Sequence, residues 1–117
     1  MKTIASTSLP AHVQQPRYDR SLLRSRIVHF GFGAFHRAHQ ALLTHRVLNA
    51  KGGDWGICEI SLFSGDVLMS QLRAQDHLFT VLEKGAEGNQ PIITGAVHVC
   101  RLAILDSLGA ICEKFCE

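Results

Sequence analysis

No stretch of this chain approaches the ~18 consecutive apolar residues that a helix needs to cross a bilayer, and none reads as a membrane span. Charge of one sign is missing too. Twelve Lys and Arg against ten Asp and Glu leave a net +2, scattered along the chain, with no basic patch for a nucleic acid to meet. The amino terminus carries Lys2 but no continuous apolar segment behind it, so no secretory signal is read. A disulfide framework is not expected: Cys58, Cys100, Cys112 and Cys116 have no secretory context and are read as reduced thiols of a cytoplasmic protein. Cys112 and Cys116 stand one helical turn apart and could share a metal, but small buried apolar residues are the simpler reading. Repeats and low-complexity tracts are absent, and the length suits one modest core.

What is present is an alternation of elements. Residues 1–22 hold Pro10 and Pro16 among small polar residues and read as a loose extension, with a helical turn near 19–23. A strand is predicted at about 26–30, followed by a helix at about 35–50 that Lys51-Gly52-Gly53 stops. Residues 55–62 are rich in strand formers, which completes a parallel β-α-β unit. A short helix is expected at 66–75. The runs 78–83 and 92–99, joined by a turn-rich loop at 84–91, read as a hairpin, and 104–117 as a helix. Leu42, Leu48 and Leu108 are expected to lie on helix faces that lack part of their cover.

The segment Phe30-Gly31-Phe32-Gly33-Ala34-Phe35-His36-Arg37 carries the most information. An apolar strand breaks at two glycines and a helix begins directly after them. Such a turn aims free backbone N–H groups at whatever lies above it, which suits a phosphate. His36 occupies the place of the third glycine in the G-x-G-x-x-G fingerprint, so the pattern alone leaves an ordinary strand-to-helix corner open. His36 should hold the helix slightly off the first strand, and Arg37 offers a cation to a pyrophosphate or to solvent. His36, His39 and His45 lack a persuasive metal spacing, and no metal is expected. His29 reads as a hydrogen-bonded core or edge histidine. Asp66, just past the second strand, is placed to accept ribose hydroxyls or to cap the following helix, 33 residues beyond Gly33 where about 20 is usual.

The words Gly31-Phe32-Gly33-Ala34-Phe35-His36-Arg37-Ala38-His39-Gln40, Asp54-Trp55-Gly56-Ile57-Cys58-Glu59, Leu78-Phe79-Thr80-Val81-Leu82-Glu83-Lys84-Gly85 and Ile93-Thr94-Gly95-Ala96-Val97 closely resemble the mannitol dehydrogenase family, the polyol-specific long-chain dehydrogenases. Its D-mannonate oxidoreductase (fructuronate reductase) branch is the nearest in wording. The resemblance runs from about Ser21 to the last residue. It implies an α/β fold, a partial Rossmann-like NAD-binding domain over residues 23–117, with a parallel β-α-β start and a β-hairpin. It implies NAD as cofactor, held by Phe30 through Arg37 and by Asp66, and a small sugar acid or polyol as substrate. Family members are several times longer, and their catalytic lysine lies in a second domain. The chain therefore reads as an N-terminal portion without catalytic residues of its own, inactive alone. Relatives often carry an acidic pair where this chain has Gly65 and Asp66; keeping one carboxylate loosens the expected preference for NAD over NADP.

Overall fold

The structure is a computed structural model and describes residues 8–61 and 66–102. Three strands, β1 (Arg24–Phe30), β2 (Trp55–Ser61) and β5 (Val97–Leu102), form a parallel sheet in the order β1-β2-β5. Val28 pairs with Cys58 and His29 with Glu59, while Cys58 pairs with Val99 on the other side. The central strand is buried from Gly56 to Ser61, the uninterrupted burial expected where helices or chain cover both faces of a parallel sheet.

The crossover from β1 to β2 is one continuous helical run. It begins as α1 (Ala34–His36), passes through a π-helical turn at Arg37–Ala41 and continues as α2 (Leu42–Lys51). Gly52, at φ +70°, ends it by returning its N–H to the Leu48 carbonyl at 2.8 Å. The main core joins Ala41 and Leu48 of this run to Ile57, Val97 and Phe32, and to Met69 and Leu72 of α3 (Asp66–Ala74). Cys58 and Ile60 form a second cluster with Val28 and Val99. Leu42 and Leu48 are thus buried, contrary to expectation; the uncovered positions of the run are Phe35, Leu43 and Val47. Leu108, Cys112, Cys116 and the helix expected at 104–117 lie outside the described residues.

The hairpin is tighter than the sequence suggests. Antiparallel β3 (Phe79–Gly85) and β4 (Gly88–Thr94) pair down to Gly85 opposite Gly88, so most of the expected loop is strand. The apolar run read as one strand at 92–99 is two. β4 ends at Thr94, the chain turns at Gly95-Ala96, and β5 enters the parallel sheet. Alternating and continuous apolar strands abut here without a change of residue type, so periodicity hides the break.

The described part of the amino-terminal segment is docked, not loose. The Gln14 N–H donates to the Pro91 carbonyl (3.1 Å) and the Ile93 N–H to the Gln14 carbonyl (2.7 Å). Asp19 caps the 3-10 turn Arg20–Leu22, and Arg20 pairs with Asp76 (3.0 Å) while donating to the Gly95 carbonyl (3.0 Å). Tyr18 meets the fully buried His45: the tyrosine O–H and the Gly95 N–H both point at His45 Nδ1, at 2.7 and 3.4 Å. Burial, with Arg46 and Arg17 nearby, lowers the His45 pKa to about 4, and burial pushes the Tyr18 hydroxyl up to about 12. No helix among the described residues is long and apolar enough to cross a membrane.

Candidate cofactor site

At the carboxyl end of β1 the ladder runs one residue further, with the Gly31 N–H donating to the Ile60 carbonyl at 2.8 Å. Gly31 then adopts φ +95°, a conformation a side chain would strain, and the chain turns out of the sheet. Gly33 is the N-cap of the helix and offers no side chain to its amides; the first intrahelical bond is from Arg37 N–H to the Gly33 carbonyl (3.1 Å). The amides of Ala34, Phe35 and His36 precede that bond and form the positive end of an 18-residue helical run, from 34 to 51. A Cβ built at Gly31 or Gly33 meets no atom within 4 Å. The turn therefore opens onto free space at the carboxyl edge of a parallel sheet, where ligands of such sheets bind.

The remaining expected residues divide into those facing that space and those beneath it. Phe30 is partly exposed at the strand end and Phe35, 78% exposed, stacks on His39 with ring centres 4.1 Å apart. Arg37 folds back over the turn: its Nε donates to the Gly33 carbonyl (3.3 Å) and its guanidinium carbon lies 5.3 Å from the Phe32 ring centre. Ala34 and Arg37 line an open cleft of about 260 Å³ with Ala38, Thr80, Val81 and Leu82. Phe32 turns inward and meets Phe79 edge to face. Asp66 is the first residue of α3, five positions after the last residue of β2; its side chain lies outside the described set.

His36 also points inward. Its ring stacks on that of His29, with centres 3.6 Å apart and planes 11° from parallel, and its Nε2 is in direct contact with Glu59 Oε1. The other carboxylate oxygen lies 3.3 Å from His29 Nδ1. Glu59 is fully buried and His36 nearly so. No motif marks Glu59, although a carboxylate inside an apolar strand is itself a signal, since such a group is rarely buried unpaired. The three side chains place donor atoms within 4.8 Å of one another. Two nearly parallel, stacked imidazoles present their ring nitrogens side by side to one carboxylate, without the convergence on a common point that an ion needs. His39 and His45 are not gathered with His36: His39 Nδ1 bonds the Phe35 carbonyl (2.8 Å), and His45 sits with Tyr18.

The family described as "Mannitol dehydrogenase Rossmann domain" matches residues 25–117. The chain belongs to the mannitol dehydrogenase family. It is 80% identical over 117 residues to an uncharacterized oxidoreductase, YeiQ, of Escherichia coli (strain K12), covering all of this chain and 24% of that protein. With the D-mannonate oxidoreductase of the same organism it shares 52% identity over 99 residues, covering 83% of this chain and 20% of the other. Among solved structures, a D-sorbitol dehydrogenase in substrate-free form superposes with a TM-score of 0.84 at 32% identity, over 97% of this chain and 24% of that one. Pseudomonas fluorescens mannitol 2-dehydrogenase, in ternary complex with NAD and D-mannitol, gives the same TM-score at 36% identity, over 92% and 22%. The mannitol dehydrogenase match thus extends through the described fold, while the chain spans a quarter or less of the length of these relatives.

Proposed function

We propose that this chain is the NAD-binding portion of an oxidoreductase that moves a hydride between NAD and a sugar acid or polyol, with D-mannonate and D-fructuronate favoured and mannitol and fructose next. The observation that carries the reading is the open turn at Gly31 and Gly33, backed by the bare amino end of the helical run. In this role the amides of Ala34, Phe35 and His36 face the pyrophosphate, Arg37 adds a cation, and Phe30, Phe32 and Phe35 shape the rim and floor of the turn. Asp66 takes the ribose hydroxyls. When bound, the cofactor supplies the hydride acceptor or donor; the residues of this chain bind and orient it. In this reading the proton-transferring lysine belongs to a second domain, as the family resemblance implies, and the 117 residues alone are proposed to bind cofactor without turnover, because positioning and acid–base groups supply most of the rate.

The preference for mannonate follows the 52% identity to the D-mannonate oxidoreductase. Calorimetric titration of the purified chain with NAD, together with an assay of NAD reduction on D-mannonate and D-mannitol, tests the proposal. Saturable NAD binding without turnover is expected. Absence of NAD binding contradicts the cofactor role, and turnover above a blank contradicts the inactivity.

A second reading, an inactive remnant or interaction module, draws on the exposed Phe35, Leu43 and Val47 and on β1, which pairs on one side only among the described residues. Immunodetection in source cells separates the two: a stable 12.9 kDa species favours the module, and a product several times larger favours the enzyme.

A further inference from the structure

We infer that Glu59 is a positioning residue for the cofactor turn, a buried carboxylate that grips one histidine on each flank of the Gly-x-Gly segment and so fixes the aim of the helix amides. The inference rests on the cofactor reading above. His29 lies two residues before Gly31 and His36 three residues after Gly33, yet both reach the same carboxylate on the neighbouring strand. Glu59 is fully buried, and a carboxylate in such a place is costly unless donors surround it. Among the described residues its ion-pair partners are these two imidazoles.

The need for such a grip follows from position 36. A glycine there lets a helix pack directly on the first strand. His36 instead inserts a ring, stacked on His29, between helix start and sheet. A spacer of that size leaves the tilt of the first helical turn dependent on how the ring is held. The contact of His36 Nε2 with Oε1 and the approach of His29 Nδ1 to Oε2 (3.3 Å) hold both rings against one carboxylate and tie strand β1, helix α1 and strand β2 at one point. The amides aimed at a pyrophosphate then have a single orientation, and a Gln at position 59 keeps the shape but turns one acceptor into a donor.

The test compares wild-type chain with Glu59→Gln in binding NAD, ADP and adenosine, with thermal melts run alongside. Misplaced amides are expected to weaken NAD and ADP about tenfold while adenosine, which carries no phosphate, binds as before. His29→Asn, which removes the more exposed arm, should show the same pattern more weakly, and it carries the test by the same criteria if Glu59→Gln fails to fold. Unchanged NAD affinity in the variant overturns the positioning role and leaves the cofactor reading intact. A parallel loss for all three ligands also overturns it, since that is the signature of general unfolding. Wild-type chain that binds no NAD removes the cofactor reading and the inference together.

Discussion

Position 66 carries a carboxylate and position 65 bare backbone, and between them they set the proposed choice of cofactor. A carboxylate that accepts both ribose hydroxyls repels a 2′-phosphate in the same place. Replacing Asp66 with Ser should remove charge-assisted hydrogen bonds, costing NAD roughly 1.5–3 kcal/mol and relieving NADP. No second substitution should be needed, because Gly65 has no side chain in the way. Comparing the affinities of NAD and NADP before and after Asp66→Ser checks this. An equal fall for both, or none, would show that Asp66 serves only the amino end of α3.

Among the elements, β2 is packed most closely at Gly56. A Cβ there would lie 2.7 Å from the Arg24 carbonyl oxygen, 2.8 Å from the His98 ring and 3.0 Å from Leu23 Cβ. The first of these is backbone in a paired strand and cannot swing aside. Gly56→Ala should therefore destabilise the chain by about 1–3 kcal/mol in urea unfolding; a change below about 0.5 kcal/mol would mean that β1 and β2 slide apart freely. The β-α-β unit was legible in the sequence because its signals are local: a strand run, two glycines, helical spacing and a Gly-Gly stop. The division of 92–99 into β4 and β5 was not, since it depends on which sheet each half joins. The docking of residues 14–20 was hidden for a similar reason, with Arg20 finding its carbonyl partner 75 positions away. At the candidate site, the strand-to-helix turn was legible from the glycine pair Gly31 and Gly33, while its use by a cofactor rests on the family resemblance and stays a proposal. Glu59 was not legible: its role rests on partners from two other elements, one of which, His36, looked in sequence like a substitute for glycine.

Across the whole molecule, His45 ties the amino-terminal segment to the helical run and the sheet, and it makes stability depend on pH. Its folded pKa of about 4 lies below the ordinary 6.5, so between these values the unfolded chain binds the extra proton. Stability is full above pH 6.5 and falls as the pH drops toward 4, by on the order of 2–3 kcal/mol from this residue. Urea unfolding at pH 7, 5.5 and 4 should show that slope in wild type and a shallower one in His45→Gln; equal slopes would contradict the assignment. The central claim, that the β1-to-helix turn is a cofactor cradle, is tested most directly by Gly33→Val. The backbone there, at φ −84° and ψ 171°, accepts any residue, and a Cβ meets no protein atom within 4 Å. The fold should tolerate the valine at a cost of about 1 kcal/mol, the usual loss when an apolar residue replaces a favoured N-cap, whereas a ligand seated on the turn cannot. Calorimetry with NAD, with a thermal melt as control, should show a cooperative melt lowered by only a few degrees and affinity weakened about tenfold or more. Equal NAD affinity in wild type and Gly33→Val, with both chains folded at the temperature of the titration, would contradict the account.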